Sequence, residues 1–344
     1  MKRAYAYTPI AEATCPFCLH VGGRILYKVT SREAALHFMV MAPRECRVRN
    51  LPLLCSIIER LWKQDSCRVV ECENCSGGFA FPFVGGNTEF YETANAGQKA
   101  GAYPADRWEY GESLSAASLK PHSSVLEVGA GDGAFVRRLI DTGVSSSIIT
   151  ALEYSSYGMK AIRSIDPPVN VQHGDTLGSL PVGAFTHIFL FQVMEHLGGL
   201  DEFMSNVCRL LQNDGQALIS VPHPDRTAFG ELSGLTLDMP PNHISRFSID
   251  AMRALASRNA LSLERVVDEP FSWRHALPEF LRYRFLRLTQ KEGSISAKVH
   301  ANLDGRRHKY AAAAMSLARL PHALIRLSTC KTFGSTRLFV LKKH

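Results

Sequence analysis

Five short apolar runs, "SVLEVGA", "SIITALEY", "VNVQHGD", "THIFLFQVM" and "QALISVP", recur between residues 124 and 222. Stretches with helical periodicity separate most of them: "AFVRRLIDTG", "SSYGMKAIRSI" and "LDEFMSNVCRLLQNDG". In the last of these, Phe203, Val207, Leu210 and Leu211 fall on one face before Gly215. Strands this apolar along their whole length have no wet face. They must be covered on both sides, which is the arrangement of a parallel sheet crossed by helices. The chain is therefore expected to be an α/β protein with a mostly parallel sheet and helices on both of its faces. A further helix, "SIDAMRALASRNA", and a strand, "LSLERVVDEP", follow, and "TRLFVLKKH" supplies a terminal strand that can enter as a hairpin partner of the previous one.

The first strand runs into "EVGAGDGA", where three glycines alternate with other residues before a helix begins. A tight strand-to-helix turn needs one glycine and not three. Gly129, Gly131 and Ala134 satisfy the dinucleotide pattern GxGxx(G/A), a weak match by itself. Glu127, Gly129, Gly131 and Gly133 also satisfy every position of (D/E)xGxGxG, the spacing used to bind S-adenosylmethionine (SAM). In a parallel sheet, ligands lie at the carboxyl ends of the strands, where the strand order switches. Glu153 closes the second strand and can accept hydrogen bonds from both ribose hydroxyls, a role common to NAD and SAM sites. Asp175 closes the third strand, within reach of an adenine amino group.

Taken together, "LEVGAGDG", the acid after strand two, "GD" after strand three, "VMEHL" and "LLQNDGQALISVP" resemble the class I, Rossmann-like SAM-dependent methyltransferases. The likeness is to the subgroup whose fourth strand runs into a "vlEHl" motif, and it covers roughly residues 90–270 plus the last strand. It implies a seven-stranded sheet with the last strand antiparallel. It also implies that Glu127 and the loop holding Gly129, Gly131 and Gly133 frame the methionyl and ribose portions of SAM. Glu153 would then hold the ribose, Tyr154 would pack on adenine, Asp175 would sit near the adenine amine, and Gln192 would face the methionyl tail. One departure is minor: the second-strand acid is often Asp, and here it is Glu153.

Nine cysteines, an odd number, with no export signal behind "MKRAYAYTPIAEAT", favour reduced thiols or metal ligands and a cytoplasmic setting. Cys15, Cys18, Cys72 and Cys75 form two CxxC knuckles, the donor set of a structural, tetrahedral Zn²⁺ with no position left for a catalytic water. The run "VVECENCSGGFAFPF" looks like a zinc ribbon. Such a ribbon ahead of this core occurs in a group resembling sugar and other small-molecule C-methyltransferases. The long gap between knuckles holds a helix, "LPLLCSIIERLW", and Cys46, Cys55 and Cys67, of which Cys67 is the candidate to replace a ligand. The resulting division is 1–90, a zinc-ribbon-like domain with a helical insertion; 91–274, the SAM-binding core; 275–330, a basic helical insertion; and 331–344, the last strand.

Methyl transfer needs a nucleophile held in line with the S–CH₃ bond and relieved of its proton. His196, directly after the fourth strand, its neighbour Glu195, and His243 in "MPPNHISRF" would lie on that rim and are the candidate catalytic residues. His223, Tyr103 and Trp108 are weaker candidates for lining the pocket. Of the formal charge of +7, residues 275–344 hold 14 Lys or Arg against three acids, a surplus of 14 − 3 = +11. Arg282, Arg284 and Arg287 there can grip a phosphate or carboxylate, so the expected partner is a small-molecule acceptor, a sugar or another specialised metabolite, that can be anionic. Two alternatives are an NAD-dependent dehydrogenase and a nucleic-acid-binding or -methylating protein. Against the second, no aromatic–basic interleaving and no (D/N)PP(Y/F/W) run after the fourth strand are found. No stretch approaches the roughly 18 apolar residues of a membrane span.

Overall fold

A computed structural model describes residues 8–39, 44–96, 106–120, 122–233, 238–278, 280–281, 317–328 and 334–344, together with 293–295, 298, 310–311 and 314–315. Tyr103, Arg282, Arg284, Arg287 and Cys330 lie outside the described residues.

The chain opens with β1 (Thr8–Thr14), β2 (Val21–Thr30), β3 (Ser66–Glu71) and β4 (Gly78–Phe81), an antiparallel meander. Helices α1 (Ser31–Met39) and α2 (Arg44–Trp62) are inserted between β2 and β3. The second corresponds to the helix anticipated from "LPLLCSIIERLW", but it starts earlier and carries Pro52 in its interior. Leu54, Ile57 and Ile58 form its buried stripe, packed with Phe90 of α3 (Thr88–Asn95). After α4 (Trp108–Ala117) come β5 (Val125–Val128), α5 (Ala134–Asp141), β6 (Ile149–Glu153), α6 (Ser156–Arg163), β7 (Asn170–His173), β8 (Phe185–Phe191), α7 (Leu200–Leu210) and β9 (Leu211–Pro222). The remainder contributes α8 (Pro224–Ser233), β10 (Ser245–Arg246), α9 (Ile249–Arg258), β11 (Leu261–Asp268), α10 (Leu320–Ser328) and β12 (Thr336–Lys343).

Seven strands form one sheet in the order β7-β6-β5-β8-β9-β12-β11. The pairs β5–β6, β6–β7, β5–β8 and β8–β9 are parallel. Strand β12 enters antiparallel between β9 and β11, pairing with both. This is the expected seven-stranded α/β sheet, with its order reversing between β6 and β8 on either side of β5. Alternation along β12 shows the layering: Leu338 and Val340 join a core with α4, α5 and α6, whereas Phe339 and Leu341 join another with α7 and α9.

That second core also takes in Cys15, Phe17, Cys72, Cys75 and Phe79 of the N-terminal unit, packed with Phe247, Ala251 and Met252. The N-terminal sheet gains its fifth strand from β10, whose Ser245 and Arg246 lie opposite Phe79 and Gly78. Arg258 of α9 donates to the carbonyl oxygens of Phe17 and Pro16 and pairs with Asp201. The two units are thus continuous through apolar packing, a shared sheet edge and an arginine clamp.

Two elements differ from the sequence expectation. The helix anticipated up to Gly215 stops at Leu210, because Leu211 already pairs with Phe185. The next pair is Gln216 opposite His187, a register shift along β9 with Asp214 at a φ of +62°. The stretch 222–246, whose Pro, Gly and His content reads as a loop, instead contains α8, whose Phe229 meets Phe280 with ring centroids 6.0 Å apart. Phe280, Ala276, Ala323 and Leu327 form a small core of their own, so the described part of the C-terminal insertion rests on α8.

Candidate active site and thiol cluster

The carboxyl end of β5 turns through Gly129, Gly131 and Gly133 with φ of +76°, +57° and +81°, the left-handed region that side chains disfavour. At Gly129 a second constraint applies: a Cβ there would come within 2.7 Å of Val193 Cγ2, at the end of β8. The backbone N–H groups of Gly129 and Ala130 both donate to Leu152 O, which ties the turn to β6.

Glu153, 8% exposed, points at this turn. Its Oε2 accepts from Gly131 N–H at 2.7 Å and its Oε1 from Ser155 N–H at 2.7 Å. A carboxylate oxygen carries further acceptor capacity, so both remain able to receive a ribose hydroxyl. Glu127 lies deeper, 2% exposed, and its Oε2 has no hydrogen-bond partner among the described residues. Burial, reinforced by the charge of Glu153, pushes its carboxyl well above the ordinary carboxylate range, and nearby Arg107 only partly opposes this. A pair of acids at the mouth of a glycine turn repels a pyrophosphate and attracts a cation. SAM, with a sulfonium and an ammonium, suits these residues.

Tyr154 is 49% exposed, its ring lying so close over Gly174 that a Cβ there would come within 2.3 Å of it. An aromatic face left open beside the sheet edge is a surface on which a purine can stack. Asp175 is more open, with its N–H bonded to His173 Nδ1 at 3.3 Å. Gln192 adopts a φ of +57°, and its amide nitrogen reaches Ser220 Oγ at 3.4 Å. A non-glycine residue in that region at a strand end is a costly conformation, of the kind retained where function demands it.

Beyond Val193 the chain makes a short turn that brings Glu195 and His196 against His243. One potential ligand atom from each of the three lies within 4.8 Å of the others. Glu195 is 0% exposed, and neither of its carboxylate oxygens has a hydrogen-bond partner among the described residues. His196 Nδ1 sits 2.8 Å from Asn242 O and 3.1 Å from Tyr91 Oη. His243 Nδ1 sits 2.8 Å from Asp238 Oδ1, and the two imidazole centroids are 4.6 Å apart. The sequence-derived candidates Glu195, His196 and His243 therefore do converge. Tyr91, Asn242 and Asp238, which orient them, were not anticipated. Asp238 stands five positions before His243 in a proline-rich loop, a spacing with no helical or strand meaning.

His223 belongs elsewhere: it is 2% exposed, and its Nε2 lies 2.9 Å from Arg337 and 3.4 Å from Asp268 Oδ2, at the junction of β9, β11 and β12. Trp108 packs against the core beneath α4. Its neighbours are the more interesting residues, because Arg107 pairs with Glu109 and stands 5.4 Å over the Tyr110 ring.

In the N-terminal unit, Cys15, Cys18, Cys72 and Cys75 bring their sulfurs together. The Cys15–Cys75 and Cys18–Cys72 Sγ separations are both 3.6 Å, and all four sulfurs lie within 4.8 Å of one another. Zn–S bonds of about 2.3 Å give a tetrahedron with edges of about 3.8 Å, so the donor set and spacing fit a four-thiolate zinc site. The two knuckles fold alike. The residue after each, Leu19 or Ser76, has a positive φ, and its N–H donates back to Cys15 O or Cys72 O at 3.0 Å. A bond from the Cys75 thiol, together with the Phe17 and Cys18 N–H groups, lowers the Cys15 thiol to about 5 against its burial. Cys67 is no intruder: its side chain is buried in a separate core with Leu54 and Phe90, and burial pushes its thiol up to about 12.

Residues 106–266 match a family model described as Methyltransferase domain. Over 101 residues the chain is 33% identical to a Mycolicibacterium smegmatis protein named "Probable S-adenosylmethionine-dependent methyltransferase". That alignment takes in 29% of this chain and 38% of the relative's length. Among solved structures, the YcgJ protein of Bacillus subtilis is similar with a TM-score of 0.46 at 17% identity, over 69% of this chain and 98% of that one. A SAM-dependent methyltransferase of Mesorhizobium loti gives 0.44 at 14% identity, over 70% and 100%. Among the described residues, no helix is long and apolar enough to cross a membrane.

Proposed function

We propose, for a chain whose residues 106–266 belong to the methyltransferase-domain family, that it transfers a methyl group from SAM to a small-molecule acceptor. The observation that carries this reading is the pair Glu127 and Glu153 at the glycine turn, one orphaned in the interior and the other bonded to the turn itself. When bound, SAM supplies an electrophilic methyl group on a sulfonium. Everything else falls to the protein. Glu127 neutralises the ammonium or sulfonium charge that enters. Glu153 receives the ribose hydroxyls, Tyr154 the adenine face and Asp175 its amine, while Gln192 bounds the methionyl side. Glu195, His196 and His243 bind the acceptor and manage its proton. The four cysteines hold a structural zinc ion, supported by the 3.6 Å sulfur spacing and by the absence of any open donor position among four thiolates.

A sugar or another specialised metabolite, with an anionic group for the basic C-terminal segment, is the acceptor class this reading favours. Calorimetry separates the cofactors: SAM binds and NAD(H) does not. Binding of the nicotinamide cofactor without SAM would end the reading. Acceptor identity is then sought by mass spectrometry of cell extracts incubated with enzyme and SAM carrying a labelled methyl group.

A further inference from the structure

The trio beyond Val193 has the composition and surroundings of a second metal centre, distinct from the four thiols. We propose that Glu195, His196 and His243 bind a divalent first-row transition-metal cation beside the cofactor turn. Its role in orienting the acceptor rests on the methyl-transfer reading above; its existence does not.

Three independent features carry the assignment. A carboxylate with no exposed surface and, among the described residues, no partner for either oxygen is an expensive thing to bury, and it calls for a proton or a cation. Two imidazole nitrogens stand within 4.8 Å of a carboxylate oxygen and of each other, so one ion can touch all three groups after small side-chain adjustments. The outer nitrogens face acceptors: Nδ1 of His196 bonds a backbone carbonyl, and Nδ1 of His243 lies 2.8 Å from the Asp238 carboxylate, an ion-pair contact without hydrogen-bond geometry. The carbonyl places a proton on Nδ1 of His196 and leaves its Nε2 with a lone pair, the arrangement in which a histidine ligates metal while its other N–H bonds a carbonyl.

The frame is also rigid. Ile244 N–H donates to Glu195 O at 2.8 Å, which locks the His243 loop to the β8 turn. Gly85 passes so close to His196 O that a Cβ there would lie 2.5 Å away. Two nitrogens and one carboxylate oxygen suit Zn²⁺, Fe²⁺, Mn²⁺ or Co²⁺ better than Ca²⁺ or Mg²⁺. Unlike the thiolate set, three ligands leave coordination positions open. Both histidines retain some exposure, and Val193, two residues before Glu195, abuts Gly129 of the cofactor turn. The cation would hold an oxygen of the acceptor, which makes a hydroxyl- or enol-bearing molecule the class this site takes.

Mn²⁺ is the probe of choice, because thiolates compete poorly for it. Full-length protein is dialysed against a mild chelator that spares the thiolate zinc and then titrated with MnCl₂, with free ion followed by electron paramagnetic resonance. One saturable Mn²⁺ per chain is expected, weakened by more than about tenfold in Glu195→Gln and in His243→Asn. Zinc content and calorimetric SAM affinity should stay at wild-type values in both variants. Should Glu195→Gln melt early, His243→Asn carries the comparison, since its ring is partly exposed. No saturable uptake by the wild type, or equal uptake by both variants, would overturn the proposal. Mn²⁺ uptake with no SAM binding would instead sink the methyltransferase reading and leave the metal site standing.

Discussion

Glu127 is the residue at which stability and function pull in opposite directions. Its carboxyl is buried with an orphaned oxygen, and burial raises its folded pKa above the unfolded one. The stability it permits is therefore complete below the unfolded pKa and declines as pH rises toward the folded value. Glu127→Gln removes the ionisable group and keeps the shape. The variant should melt at or near the wild-type temperature around pH 4 and above it at pH 8. A gap of about 1 kcal/mol there corresponds to roughly 2–4 °C for a domain of this size. Cofactor binding should move the other way, about 10–100-fold weaker in the variant, because a charge-assisted contact of roughly 1.5–3 kcal/mol is lost. SAM binding should also expel a proton from the wild type at neutral pH, seen as a buffer-dependent calorimetric enthalpy, and not from the variant. Equal SAM affinity in the two proteins would show that Glu127 does not meet the cofactor's charge.

Among the elements, the strand–turn–helix at β5 was legible because each of its requirements is local: an apolar run, glycines where φ must be positive, then a helical stripe. The partners of His196 and His243 were not, since Tyr91, Asp238 and Asn242 reach them only through the fold. Strand β10 was illegible for a similar reason. Two residues carry no periodicity, and their pairing is dictated by β4. Gly129→Ala tests the legible part. The new methyl would meet Val193 Cγ2 at 2.7 Å and would hold an alanine at a φ of +76°. Left-handed backbone costs about 1–2 kcal/mol and overpacking about 1–3 kcal/mol, so SAM affinity should fall at least tenfold. Adding Val193→Ala relieves the clash but not the backbone strain, and the double variant should recover only part of the loss.

A second element-level expectation concerns acid. Asp268 of β11 accepts from Arg337 of β12 at 2.9 Å through Oδ2, and also through Oδ1. Burial pushes the Asp268 carboxyl up, but the Arg337 bond and charge outweigh it and hold the group below its ordinary value. Its contribution is thus present above the unfolded pKa and lost as pH falls through the folded one. Asp268→Asn should melt below the wild type at pH 7, with the difference closing toward pH 3. A gap that persists unchanged at low pH would mean the pair contributes through packing alone.

At the scale of the whole molecule, the question is whether thiol unit and sheet unfold together. Division at residue 90 follows from composition: cysteines and knuckles before it, alternating strands and helices after it. Yet the knuckle residues Cys15, Phe17, Cys72 and Cys75 share one apolar core with α7 and α9, β10 completes the N-terminal sheet, and Arg258 clamps the Cys15 knuckle. Such an interface couples the two halves energetically. Anything that binds one folded half should then stabilise the other. Saturating SAM, at about 100 times its dissociation constant, adds roughly 2.7 kcal/mol to the folded state. If the molecule unfolds as one unit, zinc release monitored with a chromophoric chelator during heating should move up together with the loss of near-ultraviolet circular dichroism. Arg258→Ala, which removes the clamp without touching a thiol or the glycine turn, should separate the two transitions, with zinc leaving several degrees earlier. Zinc release indifferent to SAM in the wild type would mean that the shared core is too weak to carry the coupling, and that each half folds on its own account.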